Sequence, residues 1–263
     1  PAIRWSERHI AQMGFDLSTV RRSFKRQFGM TFLEMARQRR LREGFEVLSQ
    51  GDKVIDAQHS ASFDSPSAFR AAFARPLGSA PADLRKGGFL RADWITSPLG
   101  DMIAVSSASH LHLLEFVEHK ALPRELSRLR EFAKGDLGLG RYSPTDQVEA
   151  ELTAFYSGQN PSFETPLAFH GSAFTKDVWH ALCDIPAGET RTYSELARTI
   201  GRPSAIRAVA RANGANQIAL LVPCHRVLGA DGALTGYGGG LWRKQKLIEI
   251  ERQYQKGNDQ DPS

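Results

Sequence analysis

The hydrophobic pattern of this chain changes at residues 85–88, where the sequence reads RKGG. Before this point apolar residues recur at the spacing of amphipathic helices, and after it they alternate with polar residues as in half-buried strands. The two patterns need different partners to bury their apolar faces, so the change predicts separate domains. A length of 263 residues is enough for two or three domains of modest size.

Residues 1–88 are predicted to form an all-α domain. Asp16 is the expected N-cap of a helix that ends at Gly29, Ser65 caps a second such helix, and a long helix around residues 32–48 joins the two units. Short arginine-bearing helices that each follow another short helix are typical of helix-turn-helix units. The charge agrees, because the net charge of the chain is +5 and this segment contains 15 basic and 9 acidic residues.

The same segment resembles the AraC-type DNA-binding domain. The matching core and turn residues are Arg22, Phe24, Lys25, Gly29, Phe63, Ser65, Ser67, Phe69, Phe73, Gly78 and Pro81. The charged positions that would face DNA are Arg21, Arg22 and Lys25, although a solvated helix face would have the same composition. Two positions depart from the family pattern: Ser62 stands where glycine is usual, and Pro76 is expected to interrupt the second recognition helix.

Residues 89–170 are predicted to form a small α+β subdomain. The expected elements are strands within 90–97, 102–109 and 110–118, a turn at 97–101, and helices at 123–134 and 145–157. His110 and His112 share one face of the third strand, at a spacing that a metal site could use. Without a third and fourth ligand nearby, a solvated or packing role is the better interpretation.

The following segment is interpreted as a third helix-turn-helix. Cys183 lies beside the apolar face of a helix at 175–183 and is expected to be buried. Thr192 and Glu195 form a capping box, and Ser204 is expected to cap the next helix. The predicted inward residues of that helix are Ile206, Val209, Ala210 and Asn213, and the outward ones are Ala205, Arg207, Ala208, Arg211 and Ala212. Such a smooth face with two arginines could approach DNA, although alanine is also simply a good helix former.

Cys224 and His225 come directly after the apolar run IALLV and Pro223. The run predicts a buried strand and the proline predicts a rigid turn, on which functional sites are often built. A cysteine reacts as its thiolate, which an adjacent base helps to form. In extended backbone the two side chains would point to opposite faces, so a water or a bend would have to connect them. This pattern alone supports a reactive cysteine and a buried structural one equally.

The composition excludes several other classes of protein. Two cysteines provide neither a disulfide framework nor a four-ligand zinc spacing, and a reducing cytoplasm is expected. No apolar run approaches the roughly 18 residues that a membrane span needs. The first ten residues lack the hydrophobic stretch of a signal peptide, and because the sequence begins with Pro1, removal of an upstream segment is an open alternative.

Five sequence blocks resemble the O6-alkylguanine-DNA alkyltransferase family. In chain order they are TYSELA at 192–197, SAIRAVARANGAN at 204–216, PCHRV at 223–227, GYGGG at 236–240 and KLIEIE at 246–251. Together with residues 1–88, they make the whole chain resemble the bacterial adaptive-response proteins of the Ada type. That type carries an upstream four-cysteine zinc domain that accepts methyl groups from phosphotriesters, and no residues of this sequence can stand for those cysteines.

The resemblance implies a role for each matching residue. Cys224 would accept the alkyl group from O6 of guanine, His225 would act through a water as general base, Glu251 would orient His225, and Asn216 would be a hinge. The implied base-binding residues are Tyr193, Val227, Tyr237 and Gly238. The implied DNA-contacting residues of this domain are Ser204, Ala205, Arg207 and Arg211, with Arg207 filling the space of a flipped-out base. Many relatives have serine at the position of Gly238, and little loss is expected because the contact there comes from the backbone N–H.

The sequence therefore predicts a multi-domain α and α+β protein. Its expected parts are an all-α double helix-turn-helix domain at 1–88, a ribonuclease-H-like α+β subdomain at 89–170, a helical winged-helix-like alkyltransferase domain at 171–255 and a disordered tail at 256–263. The expected function is suicidal repair of O6-methylguanine, without cofactor or metal, by a cytoplasmic bacterial monomer. Double-stranded DNA that contains O6-alkylguanine is the expected partner, with promoter DNA and RNA polymerase as further partners. The alternative is a transcription regulator of the alkylation response whose alkyltransferase activity is secondary.

Overall fold

The computed structural model describes residues 5–258, with side chains up to residue 254. The helices in this part are α1 (Glu7–Gln12), α2 (Leu17–Phe28), α3 (Phe32–Gln50), α4 (Val54–Ser60), α5 (Pro66–Leu77), α6 (Leu122–Phe132), α7 (Ser143–Tyr156), α8 (Ala173–Cys183), α9 (Tyr193–Thr199), α10 (Ile206–Gly214) and α11 (Leu241–Asn258). The strands are β1 (Leu90–Ile95), β2 (Met102–Ser106), β3 (Leu111–Phe116), β4 (Leu137–Leu139), β5 (Arg191–Thr192) and β6 (Val227–Leu228). Contacts divide the chain into a first unit, Pro1–Asp101 with Lys120–Arg141, and a second unit, Met102–His119 with Tyr142–Ser263.

The predicted helix caps of the first unit are confirmed. Asp16 accepts a hydrogen bond from the backbone N–H of Thr19 at 2.8 Å, and α2 ends at Gly29, whose φ of 71° is left-handed. Ser65 accepts one from the N–H of Ala68 at 3.2 Å and starts α5. These local signals place both recognition helices where the sequence predicted them.

Aromatic side chains form the core of the first unit. Phe45, Phe69 and Phe73 are fully buried, and the rings of Phe45 and Phe73 stack with centroids 6.2 Å apart. A Cβ at Gly44 would lie 3.0 Å from the carbonyl oxygen of Ala57. Glycine at this position therefore lets α3 and α4 approach closely.

Pro76 does not interrupt α5, contrary to the prediction. The helix continues through Pro76 to Leu77 and closes at Gly78, whose N–H donates to the carbonyl of Ala74 at 2.8 Å. Because Pro76 is the penultimate residue, its ring and its missing N–H disturb only the last turn of the helix.

Each unit contains a pair of strands. In the first unit, β1 runs parallel to β4 with Leu90 opposite Leu137, and in the second unit β2 runs antiparallel to β3 with Met102 opposite Phe116. The three predicted strands and the two helices that follow them are confirmed within a few residues. The molecule is thus a mixed helical and α+β protein with little sheet.

His112 packs inside the second unit. It is 5% exposed, its Nδ1 lies 2.8 Å from Nε2 of His170, and its Nε2 lies 3.1 Å from the hydroxyl of Ser107. His110 is exposed and contacts Ser109. The packing interpretation is therefore confirmed for His112, and the two histidines do not share an environment.

Helix α8 ends with Cys183, which is exposed rather than buried. At the last position of the helix its side chain lies at the edge of the apolar face, 3.9 Å from the carbonyl oxygen of Leu221. The prediction of a buried side chain was wrong because periodicity does not reveal where packing ends. Nearer the middle of the same helix, Trp179 donates from Nε1 to the carbonyl of Ala212 at 2.9 Å and joins α8 to α10.

The capping box of α9 is confirmed, but the cap of α10 differs from the prediction. Thr192 and Glu195 exchange the two expected hydrogen bonds. The N-cap of α10 is Ala205 rather than Ser204, because a turn in which the N–H of Ala205 donates to the carbonyl of Arg202 at 2.9 Å delays the first helical residue to Ile206.

The run IALLV, residues 218–222, is buried but does not form a strand. Only Ile218 makes a strand-like bridge, to Leu114, and the chain then turns at Leu220, whose φ is 70°. The N–H of Val222 donates back to the carbonyl of Ile218 at 3.0 Å. The apolar composition of this run therefore predicts that it is buried, whereas its backbone hydrogen bonds determine its conformation.

Residues 256–258 of the predicted tail are helical and continue α11, which ends at Asn258 directly after Gly257. The rest of the predicted tail, residues 259–263, lies outside the described residues. None of the helices in the described part of the chain combines the length and the apolar composition that a membrane span requires.

Candidate active site

Cys224 begins a short 3-10 helix, Cys224–Arg226, directly after Pro223. Its sulfur accepts a hydrogen bond from the side-chain amide of Asn216, with Nδ2 3.1 Å from Sγ. The residue is 7% exposed. Burial raises the pKa of the thiol to about 11, although the Asn216 amide acts in the opposite direction. The resting side chain is therefore a thiol at neutral pH, and it needs a base to react as a thiolate.

Asn216 connects the segment after α10 to the turn that carries Cys224. Its Nδ2 also donates to the carbonyl of Val222 at 2.7 Å, and its Oδ1 accepts from the N–H of Ile218 at 2.9 Å. Both polar ends of this buried amide are used. The side chain thus holds the turned backbone that the apolar run 218–222 adopts.

His225 and Glu251 form a buried pair. Nε2 of His225 lies 2.8 Å from Oε1 of Glu251, and each residue is 1% exposed. Arg226 donates from Nη2 to the same carboxylate at 2.8 Å, and the backbone N–H of Gly188 donates to it at 3.1 Å. Burial opposes ionisation of Glu251, but His225 and Arg226 outweigh it and lower its pKa to about 2. The carboxylate is therefore ionised at neutral pH.

This ionised acceptor decides the tautomer of His225. Nε2 must carry the hydrogen, which leaves the lone pair on Nδ1. Nδ1 is buried and has no hydrogen-bond partner among residues 5–254. Burial lowers the pKa of His225, against the effect of Glu251, so the ring is neutral at pH 7. The residue after Cys224 is thus a neutral imidazole whose Nδ1 lone pair is available to accept a proton.

Cys224 lines a cavity together with side chains from several segments of the second unit. Tyr237 and Gly238, two of the predicted base-binding residues, belong to its wall. The Tyr237 ring stands edge-on to His225 with centroids 6.4 Å apart, and its buried hydroxyl has no hydrogen-bond partner in the described residues. Burial raises the pKa of Tyr237 well above its ordinary value, so the hydroxyl is a neutral donor.

Tyr193 and Val227, the other two predicted base-binding residues, are not among the described residues that line this cavity. Burial raises the pKa of the Tyr193 hydroxyl above its ordinary value, although the side chains of Thr235 and Asn213 act in the opposite direction. The carbonyl of Val227 accepts from Nζ of Lys244.

Lys244 and Arg226 are site residues to which the sequence analysis gave no role. The Lys244 side chain is fully buried, and burial lowers its pKa to about 8. The sequence contained a signal for Lys244: it lies seven residues before Glu251 on α11, and residues seven apart share one face of a helix. Arg226 lies inside the PCHRV block, but only the fold shows that it is the counter-charge of Glu251.

The outer surface of α10 carries the predicted DNA-contacting residues. Arg207, Arg211 and Ser204 are exposed and Ala205 is half-buried. Two neighbouring assignments were wrong: Ile206 is 41% exposed although it was predicted inward, and Ala212 is 5% exposed although it was predicted outward. The reason is the contact of α10 with Trp179, which turns the Ala212 side of the helix toward the core.

In the first unit, Arg21, Arg22 and Lys25 are exposed on α2. Arg21 also forms an ion pair with Glu7, with Nη2 2.6 Å from Oε1 and both side chains more than half exposed. A pair of this kind contributes little stability, so it does not prevent Arg21 from binding another anion.

Two protein families match this chain. The family described as "6-O-methylguanine DNA methyltransferase, DNA binding domain" matches residues 173–253, and the family described as "Helix-turn-helix domain" matches residues 10–87. The first match contains Cys224, His225 and Glu251, and the second contains α2 and α5.

Known proteins resemble the chain over most of its length. The regulatory protein ada of Salmonella typhimurium is 36% identical over 247 residues, which are 89% of this chain and 67% of that protein. A methylated-DNA protein-cysteine methyltransferase of Methanosarcina barkeri is 41% identical over 60% of this chain and 95% of its own length. The crystal structure of Mycobacterium tuberculosis OGT in complex with DNA superposes with a TM-score of 0.52 and 39% identity over 63% of this chain and 93% of that chain. The chain therefore belongs to the family of methylated-DNA protein-cysteine methyltransferases, and it joins their DNA-binding domain to an AraC-type helix-turn-helix domain as an Ada homologue.

Proposed function

We propose that this protein repairs O6-methylguanine in DNA by transferring the methyl group irreversibly to Cys224. The observation that carries the proposal is the arrangement around the sulfur: a buried thiol that accepts from Asn216 and is followed by a neutral His225 held by the ionised Glu251. No cofactor is needed, because the sulfur itself is the acceptor.

In the proposed reaction His225 removes the thiol proton through a water molecule. The sulfur then attacks the methyl carbon, the S–C bond forms as the C–O6 bond breaks, and guanine leaves with the electron pair and takes up a proton. Cys224 becomes a thioether, which thiol exchange does not reverse, so each molecule acts once. Glu251 keeps the lone pair of His225 on the reactive nitrogen, and Asn216 steadies the sulfur.

The cavity would receive the damaged base after it has left the DNA stack. Flipping costs ~a few kcal/mol, which contacts with the extrahelical base would offset. The proposed base contacts are Tyr193, Tyr237, the backbone N–H of Gly238 and the carbonyls of Cys224 and Val227. Arg207 would fill the vacated space, while Ser204, Ala205 and Arg211 would bind the adjacent backbone.

The remaining parts of the proposal concern domains and partners. We infer that the strands and helices between the two matched segments form the ribonuclease-H-like subdomain, and that the catalytic segment has a winged-helix-like form. The AraC-type domain would add DNA affinity through Arg21, Arg22 and Lys25. The protein is proposed to act as a monomer.

Intact-protein mass spectrometry tests this function. After incubation with a duplex that contains one O6-methylguanine, the protein should gain one methyl group, and peptide mapping should place it on Cys224. A Cys224→Ala variant should bind the duplex without gaining mass, whereas the matched Cys183→Ala variant should be methylated like the wild type. A wild-type protein that binds the duplex but stays unmodified would reject the proposal.

Regulation of transcription is the second candidate function, favoured by the helix-turn-helix match and by the name of the Salmonella relative. Promoter DNA and RNA polymerase would then be further partners. Gel shifts with promoter and random duplexes, each with and without a lesion, separate the two functions. A regulator should require the promoter sequence, and a repair protein should require the lesion.

A further inference from the structure

A second histidine and carboxylate pair lines the cavity that contains Cys224. Glu115 is the penultimate residue of β3 and His119 lies on the turn that follows, where its N–H donates to the carbonyl of Phe116 at 2.9 Å. Both residues belong to the cavity wall and to the second unit. Neither residue lies in the sequence blocks that resemble the alkyltransferases.

The His119 ring lies beside the Glu115 carboxylate and has little free surface. Nδ1 of His119 lies 3.3 Å from Oε2 of Glu115, and Oε1 of Glu115 accepts from the backbone N–H of Phe116 at 2.8 Å. The side chains of His119 and Glu115 are only 11% and 5% exposed. A ring with so little free surface has few alternative rotamers.

The His119 ring occupies the space that a side chain at position 238 would need. A Cβ built on Gly238 would lie 2.4 Å from Nε2 and 2.9 Å from Cδ2 of His119. Such distances are far below van der Waals contact, so the ring and a larger residue 238 exclude each other. Gly239 is equally restricted, because its Cβ would lie 2.8 Å from Cε1 of Tyr237. Close packing at the cavity wall thus requires glycine at positions 238 and 239.

We propose that His119, held by Glu115 against Gly238, limits the size of the alkyl group that the cavity accepts. This inference rests on the proposed function, because the alkyl carbon must then reach Sγ of Cys224 inside the same cavity. The imidazole replaces the volume that a side chain at position 238 would provide, and it makes this part of the wall rigid. Small groups such as methyl would be preferred to bulky ones such as benzyl.

The test compares single-turnover rate constants for duplexes that contain O6-methylguanine or O6-benzylguanine. His119→Ala should raise the benzyl-to-methyl ratio by about tenfold or more, since one methylene group more or less in an apolar pocket already changes rates by roughly 10–200-fold. His119→Phe restores a ring and should keep the ratio near that of the wild type. The matched control is His110→Ala, an exposed histidine outside the cavity. An unchanged ratio in His119→Ala would overturn the proposal.

A double-mutant cycle tests the packing without any reference to activity. Gly238→Ser should lower the Tm of the wild type but have a smaller effect in the His119→Ala background, where the space is open. Equal losses in both backgrounds would show that the ring moves aside, and would also overturn the proposal. If the wild type accepts no methyl group but the Tm values couple as expected, the proposed function fails while the packing argument remains.

Discussion

At the scale of single residues, charge and burial around Cys224 set the direction of proton transfer. The thiol is kept protonated by burial, while Glu251 is kept ionised by His225 and Arg226. In the proposed reaction the proton would therefore leave the thiol only when a substrate is bound and Nδ1 of His225 accepts it through a water molecule. Because the thiolate is the reactive form, a thiol that stays protonated at rest is protected from reactions with other electrophiles.

Glu251→Gln should weaken both chemistry and stability. The amide leaves Arg226 buried without a counter-charge, at a cost of about 3–5 kcal/mol, and it no longer fixes the His225 tautomer. Methyl transfer should slow on the order of 100-fold. Single-turnover rates and urea unfolding measure the two effects. Glu249→Gln, on the exposed side of the same helix, should change neither, and a similar loss in that control would contradict the interpretation.

The rate of methyl transfer should depend on pH through His225. Because burial lowers its pKa below the ordinary 6.5, the folded protein keeps the neutral base at pH values where a free imidazole is already half protonated. The rate should be constant from pH 8 to 6.5 and fall only at lower pH. The same shift makes the folded state less stable below pH 6.5, where the unfolded chain binds a proton that folded His225 resists. A half-maximal rate at or above pH 6.5 in single-turnover assays would contradict this assignment.

At the scale of elements, turns rather than helix interiors show where the chain is strained. Ser62 follows α4 with a φ of 52°, a left-handed conformation in which a side chain costs ~1–2 kcal/mol. The related AraC-type domains usually have glycine at this position, and the backbone angle explains why. The first helix-turn-helix avoids the same strain, because Gly14 occupies the corresponding position after α1 with a φ of 82°.

Ser62→Gly should therefore stabilise the protein by about 0.5–1 kcal/mol, because relief of the left-handed strain exceeds the entropy cost of glycine. Thermal or urea unfolding measures the change. The control is Ser60→Gly in the last turn of α4, where an ordinary helical residue is replaced and a loss of about 0.5–1 kcal/mol is expected. A destabilised Ser62→Gly variant would show that the hydroxyl matters more than the backbone angle.

At the scale of the whole molecule, the contact units cross the predicted boundary at residue 88. Trp94 of β1 packs edge-on against Phe45 of α3, with centroids 5.6 Å apart. A Cβ at Gly78 would lie 2.9 Å from the carbonyl oxygen of Pro123, so the end of α5 lies directly against α6. The first unit thus includes segments on both sides of that boundary.

Deletion of residues 1–88 should separate DNA affinity from chemistry, but at a cost in stability. The proposed catalytic residues all lie in the second unit, so Cys224 should still be methylated. Binding should weaken and lose part of its salt dependence as the basic helices are removed. Loss of the Phe45 contact exposes Trp94 and should cost about 2 kcal/mol. Mass spectrometry, salt-dependent binding and thermal unfolding measure the three effects. A truncated chain that folds but does not accept the methyl group would show that the chemistry depends on residues 1–88.

The amino-acid sequence by itself determined the helix caps at Asp16, Ser65 and Thr192, the order of most helices and strands, and the identity of the matching residues. These features depend on local hydrogen bonds and on short blocks of residues, which can be recognised without a partner. Asp16, Thr192 and the PCHRV block are examples. Only the tertiary structure decided the turned backbone of residues 218–222, the rotation of α10, and the contacts of Lys244 and His119, because burial and packing depend on residues far apart in the chain.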